Sequence, residues 1–286
     1  NRETVDTENV YVLPCHTTDK IGLFTDLGAF HQVKVTEIPF GKLRDKGVPI
    51  DNLSKFDGTK ERPVCVVNAA QLKGQKLLFA TKDAMIKIVP GGEFETNNRT
   101  VAATKLQEND MLLSVQPADG MREAVIQTTS GIFLRFPIEE ISEMKKNAKG
   151  VRGIKLREGD YVVGAGIAAE GAAILSITEN GYGKRTDVGE YSVQNRGGMG
   201  LKNYNVTDKT GPVADVVIVT GDEDLLVISD DGTIIRMDVG SISLLSRSTQ
   251  GVRVMRLTGD AKVISIAPTD KEDSAEADSP EAREES

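Results

Sequence analysis

The sequence predicts an all-β, propeller-like disc of small four-stranded blades on three observations. Five segments repeat a strand, a tight turn and a second strand: IGLFTDLGAFHQVKV, LLFATKDAMIKIV, AVIQTTSGIFLRF, AILSITENGYGKRT and LLVISDDGTIIRM. Their turn positions, Gly28, Ala84, Gly131, Gly181 and Gly232, lie 56, 47, 50 and 51 residues apart. In four of the five, a second glycine follows nineteen residues after the first, at Gly47, Gly150, Gly200 and Gly251. A lone sheet of this size cannot cover both its faces, so four-stranded units repeating at about fifty residues must stack radially.

Taken in order, residues 1–15 supply one strand, ENVYVLPC, that finishes a blade begun upstream, so the first blade is truncated and five are visible. The repeats run over roughly 16–72, 73–120, 121–170, 171–220 and 221–268, within a disc spanning 1–268. Ser-Gly, Asn-Gly and Asp-Gly between β-rich runs mark hairpins, because such turns need a positive φ. Ala84 after Asp83 makes the second hairpin the weakest of the set. The second glycine then opens a short strand in KGVPIDNL, KGVRGIKL, MGLKNYNV and QGVRVMRL, with Thr100 in its place in RTVAATKL. Turn residues such as 157–160 (REGD) follow, and an apolar strand such as YVVGAGIA, PVADVVIV or AKVISIAP closes each unit. There is no Trp for a Trp-Asp propeller signature, and the glycine pairs and aromatics of a kelch array do not recur.

The end of the chain differs in kind. Residues 269–286 read as a disordered acidic tail, because no aliphatic residue larger than Ala follows Pro268. From Asp270 onward it carries eight acids against Lys271 and Arg283, which is −6 of the formal −8, so the disc itself is near balance. The tail is either a solvating terminus or an acidic mimic of nucleic acid that competes for a basic surface on the same chain.

Composition removes several function classes. With 39% hydrophobic and 27% charged residues the chain can bury a core. It lacks an apolar run of about 18 residues and any leader or lipidation signal, which predicts a soluble, unanchored protein. Cys15 and Cys65 form no CxxC pair, and with only His16 and His31 there is no usual zinc ligand set and little provision for histidine acid–base chemistry. The cysteines read as strand-packing thiols and the histidines as loop or surface residues.

What the repeats do carry is positive charge. The second hairpin strands offer Lys34, Lys87, Arg135, Lys184 with Arg185, and Arg236. The segments before the second landmark offer Lys42, Arg44 and Lys46, then Arg99, then Lys145, Lys146 and Lys149, then Arg196, then Arg247; just after it come Arg152, Lys202 and Arg253. If blades are equivalent by rotation, these cations form a belt suited to a phosphodiester backbone bound without reading bases. The bland alternative is that they only solubilise sheet edges.

The runs AILSITENGYGKRTDVGEY, QNRGGMG at 194–200, and ISDDGTIIRM with SRSTQGVRVMRL resemble the C-terminal domain of the A subunits of bacterial DNA gyrase and topoisomerase IV. The resemblance covers residues 21–268. It implies a β-pinwheel that wraps duplex DNA around its rim for strand passage by a type IIA topoisomerase. The domain would itself be non-catalytic and without a cofactor, while the whole enzyme uses ATP and Mg2+ elsewhere. Its partners would be double-stranded DNA and, in a heterotetramer, the rest of the A polypeptide together with the ATPase-bearing B polypeptide. No membrane is implied, and the compartment would be the bacterial cytoplasm at the nucleoid. In QNRGGMG, Arg196, Gly197, Gly198 and Gly200 match the family's box, while Asn195 and Met199 replace two of its basic positions. Independently of the family, adjacent glycines let a backbone approach a phosphate and turn N–H groups toward it, and Arg196 adds a charged fork. The residues leave open the choice between gyrase and topoisomerase IV, and a protein-binding propeller scaffold. A propeller hydrolase would need converging carboxylates or a metal, and no such constellation is legible.

Overall fold

The computed structural model describes residues 12–42 and 45–271. The expectations for the acidic tail beyond 271, for Arg44, and for the first residues of ENVYVLPC therefore lie outside the described residues, and 12–15 are not part of a strand. The first repeat contributes β1 (Lys20–Thr25), β2 (Ala29–Lys34) and β3 (Pro63–Asn68). The second contributes β4 (Lys76–Thr81), β5 (Met85–Pro90), β6 (Thr100–Ala102) and β7 (Leu112–Pro117). The third contributes β8 (Glu123–Thr128), β9 (Ile132–Pro137), β10 (Val151–Arg152) and β11 (Val162–Ala168). The fourth contributes β12 (Ala173–Thr178), β13 (Tyr182–Asp187), β14 (Leu201–Lys202) and β15 (Val213–Val219). The fifth contributes β16 (Asp224–Ser229), β17 (Ile234–Asp238), β18 (Val252–Arg253) and β19 (Val263–Thr269).

The disc is all-β with five blades, but a repeat and a blade are not the same unit. The sheet orders are β3-β1-β2-β6, β10-β5-β4-β7, β11-β8-β9-β14 and β15-β12-β13-β18, with β17-β16-β19 last. Each full blade thus takes three strands from its own repeat and its fourth from the next, where the sequence suggested four strands per repeat. The same rule explains a second departure. Residues 47–54 of the first repeat form no strand but a 3-10 turn at Ile50–Asn52, since no hairpin precedes them among the described residues to receive one. In the last blade β17 correspondingly has no outer partner among the described residues, and Ile234 is 60% exposed.

Every hairpin turns in the same way. The amide at the turn position donates to the carbonyl three residues earlier, from Gly28 to Thr25 at 2.9 Å through to Gly232 to Ser229 at 3.1 Å. Only the turn position itself takes positive φ, which makes these three-residue loops with a left-handed last residue. Ala84 adopts φ 64° there at a cost of about 1 kcal/mol, and β4 and β5 pair in full register regardless.

The core lies between blades. Phe24 and Phe30 of the first blade meet Phe79 and Phe94 of the second, with ring centroids 5.0 to 5.7 Å apart across the joint. Removing each such side chain from water contributes about 1.5–3 kcal/mol. Cys65 in β3 packs against this cluster, and burial pushes its thiol up to about 11. The strands β3, β7, β11, β15 and β19 contact one another in chain order at the centre. The strands donated by the next repeat, β6, β10, β14 and β18, lie at the opposite edge of their sheets and so form the rim.

Candidate nucleic-acid interface

Register decides which cations are equivalent. The donated strands place Arg152 opposite Met85, Lys202 opposite Ile132 and Arg253 opposite Tyr182, the same rung in three successive blades. Ala102, opposite Ala29, holds that rung in the first blade. All three cations are exposed. Arg253 donates to the Tyr182 hydroxyl at 2.6 Å and lies over its ring, which lowers the phenol's pKa, and Lys202 reaches the Asn205 side-chain oxygen at 2.7 Å. Three residues further on, Lys105, Lys155 and Arg256 are exposed too, and half-buried Asn205 takes the equivalent place after Lys202. Sequence reading missed this second row; its signal was the recurrence of a cation before leucine in ATKL, IKLR and MRLT.

The hairpin cations prove inequivalent. Lys87 and Lys184 share one rung, opposite Phe79 and Ser176, and are 1% and 0% exposed. Burial lowers both ammonium groups to about 8. Lys87 donates to the Lys146 and Ala148 carbonyls at 2.6 and 2.9 Å, and Lys184 to those of Asn203, Ser246 and Arg247 at 2.6, 2.7 and 2.9 Å. Neither reaches the surface, which corrects the expectation that they join a belt. His31 takes this rung in the first blade and is also buried, between Glu61 at 3.0 Å and Thr100 at 2.9 Å, rather than at the surface.

The next rung carries Arg135, Arg185 and Arg236, opposite Val125, Leu175 and Leu226. Arg135 pairs with Glu123 at 2.6 Å and donates to the Val188 and Tyr191 carbonyls of the neighbouring blade. Arg185 likewise grips the Gly240 and Ile242 carbonyls, and Arg236 pairs with Asp224 at 2.9 Å. The guanidinium groups of Arg135 and Arg185 tie blade to blade. Lys34 lies at a further rung, exposed at the end of β2.

Known proteins share this geometry. The family described as "DNA gyrase C-terminal domain, beta-propeller" matches residues 75–119, 123–169, 173–220 and 223–270. The chain belongs to this family. It is 36% identical over 264 residues to the A subunit of DNA gyrase from Staphylococcus aureus strain MRSA252, a match that covers 91% of this chain but 30% of that protein. Its counterpart from strain NCTC 8325 is 36% identical over 261 residues, covering 90% and 29%. The chain thus spans under a third of the length of these relatives. In fold it resembles the C-terminal domain of DNA topoisomerase IV, with TM-score 0.85 at 23% identity over 91% of this chain and 82% of that one. It also resembles a DNA gyrase A C-terminal domain, with TM-score 0.75 at 24% identity over 91% and 85%.

Within this gyrase-type disc, the loops that lead into the rim strands are anchored alike. The backbone amides of Lys146, Arg196 and Arg247 donate to the carboxylates of Glu93, Glu140 and Glu190, each the third residue past a hairpin. The side chain of Arg196 is spent on the Glu140 and Arg152 carbonyls at 2.9 and 2.7 Å, and that of Lys146 on the Glu93 carbonyl at 2.8 Å. Arg247 leans on the Lys202 carbonyl at 3.5 Å, and Arg99 pairs with Glu37 at 2.7 Å while remaining half-exposed. Lys145 and Lys149 lie in the loop that leads to Arg152, and Lys42 and Lys46 in the equivalent segment of the first repeat, where residues 47–54 form no strand; all four are exposed.

In the box-like loop the Gly197 amide donates to the Gly153 carbonyl at 2.7 Å and that of Gly198 to Asn195 at 3.3 Å. The expectation that both amides face a phosphate is therefore corrected, and these glycines serve the backbone path. Gly200 shows why: at φ +72°, a Cβ there would meet the Phe133 carbonyl oxygen at 2.7 Å. Gly150 and Gly251 meet the same obstacle, Ile86 and Gly183 oxygens at 2.5 Å each. The nineteen-residue spacing marks where a rim strand crosses the hairpin it joins.

Proposed function

We propose that the rim carries the phosphate backbone of duplex DNA and bends it, independently of sequence, for strand passage and supercoiling by a type IIA topoisomerase. The observation that carries this reading is the identical register of Arg152, Lys202 and Arg253, all exposed, on successive outer strands. With Lys105, Lys155 and Arg256 the rim offers up to two cations per blade. Smoothly bending 20–30 base pairs by 40–90° costs about 1–6 kcal/mol, so several charge-assisted contacts must act together to offset it. Among family members, the likeness to the A subunits of DNA gyrase favours a gyrase over a topoisomerase IV. On this reading the domain performs no chemistry. The ATP and Mg2+ of the holoenzyme act outside it, its partners are the remainder of the A polypeptide together with the B polypeptide, and its compartment is the bacterial cytoplasm.

The test is a titration of a labelled duplex of about 40 base pairs, followed by fluorescence anisotropy between about 50 and 200 mM salt, a range over which phosphate contacts dominate affinity. The expected log–log slope is near −0.9 per phosphate neutralised, and scrambling the sequence should leave affinity unchanged. A slope near zero would overturn the reading and favour a protein-binding scaffold.

A further inference from the structure

The rim cations sit on strands of only two residues, and such strands have little capacity to hold themselves in place. Their support comes from beneath. Lys184 is fully buried, and its three N–H donors, all that a lysine has, go to three main-chain carbonyls. Asn203 directly follows Lys202, the rim cation of the third blade. Ser246 and Arg247 stand in the loop that delivers Arg253, the rim cation of the fourth. One ammonium thus joins the chain just after one rim cation to the chain just before the next.

The receiving carbonyls are themselves fixed. The Asn203 side chain accepts from the Tyr191 hydroxyl and donates to Gln127 Oε1 at 2.6 Å and Ser176 Oγ at 2.9 Å, all buried. The Arg247 amide is held by the Glu190 carboxylate at 3.0 Å. Lys87 does the same in the second blade with two carbonyls of the loop that leads to Lys149 and Arg152. Leu134 and Ile235 occupy this rung in the third and fifth blades, so an aliphatic side chain there is compatible with the blade.

We propose that Lys184, and Lys87 more weakly, are positioning residues for DNA: each buried ammonium clamps a rim loop from below and sets the spacing of the cations that meet successive phosphates, without touching DNA itself. This rests on the DNA-rim reading above. It predicts a separation of affinity from charge. A lysine that met phosphate would take about one unit of salt slope with it, whereas a clamp would take affinity alone, because the loop must then be ordered at binding.

The experiment is Lys184→Leu and Lys87→Leu in the full chain, with duplex titrations across salt and amide hydrogen exchange over residues 246–253 and 145–152. Lys184→Leu should weaken binding by up to about tenfold, the cost of ordering one or two side chains at the interface, with the wild-type slope and faster exchange in 246–253. Lys87→Leu should do the same to a smaller degree over 145–152, and it carries the test alone if Lys184→Leu does not fold. A slope lowered by one unit in either variant, or affinity and exchange equal to wild type, would overturn the clamp. A wild-type protein whose binding ignores salt would instead overturn the DNA reading on which the clamp rests.

Discussion

The second strands of the hairpins and the strands donated to the rim are both rich in lysine and arginine, yet they treat the charge oppositely. On the hairpin strands, flanked on both sides within the sheet, Lys87, Lys184, Arg135 and Arg185 are drawn onto neighbouring carbonyls. On the donated strands, with one edge toward solvent, Arg152, Lys202 and Arg253 stay exposed. A buried cation is stable only when its donors are satisfied, so the first set serves the joints between blades. The second set is left available to a polyanion. Position within the sheet, and not the density of basic residues, separates scaffold from surface.

The largest effect is expected at the crossing of the two strand types. Gly200→Val places a Cβ 2.7 Å from the Phe133 carbonyl oxygen at a left-handed φ, and should cost more than about 3 kcal/mol in urea unfolding. Gly197→Ala, whose Cβ would meet nothing nearer than 3.7 Å, should cost only about 1–2 kcal/mol for its φ. Equal stability of Gly200→Val and wild type would mean that the donated strand is not seated as described. Next in size is Arg135→Met. It strands the partly buried Glu123 carboxylate and two carbonyls, and should destabilise by about 2 kcal/mol while leaving the salt slope of DNA binding intact. A slope lowered by one unit would place Arg135 with the rim cations instead.

Much of this was legible in the sequence. The hairpins, their period and the disc follow from turn residues between β-rich runs, because a required positive φ leaves a visible glycine. Even Ala84, the exception, stands out as one. The donated strand was not legible, since the pattern KGVRGIKL is the same whether it pairs with its own hairpin or the previous one; the exchange shows in the strand pairing, where β6, β10, β14 and β18 each join the hairpin of the preceding repeat. Lys87 and Lys184 were misplaced for a related reason. Counting along a hairpin without its register merges rungs that point to opposite faces of the sheet.

A rim substitution should act the other way from Arg135→Met. Arg253→Ala should lower the salt slope by about one unit and leave the unfolding midpoint nearly unchanged, since its side chain rests on Tyr182 alone among the described residues. Loss of stability without change in slope would move Arg253 into the scaffold set.

A smaller change is expected where charge is added to the rim instead of removed. Asn205 holds the place that Lys105, Lys155 and Arg256 hold in the other blades. Asn205→Lys should therefore steepen the slope by up to about one unit, and Lys155→Asn should flatten it by a similar amount, with duplex affinity changing only a few-fold in each case. The Asn205 side chain accepts from Lys202 at 2.7 Å, so the new ammonium would also repel that neighbour and push it outward, toward the DNA path. If Asn205→Lys leaves the slope unmoved while Lys155→Asn lowers it, the duplex runs along the second row only at the blade carrying Lys155, and the contact path leaves the rim before the fourth repeat.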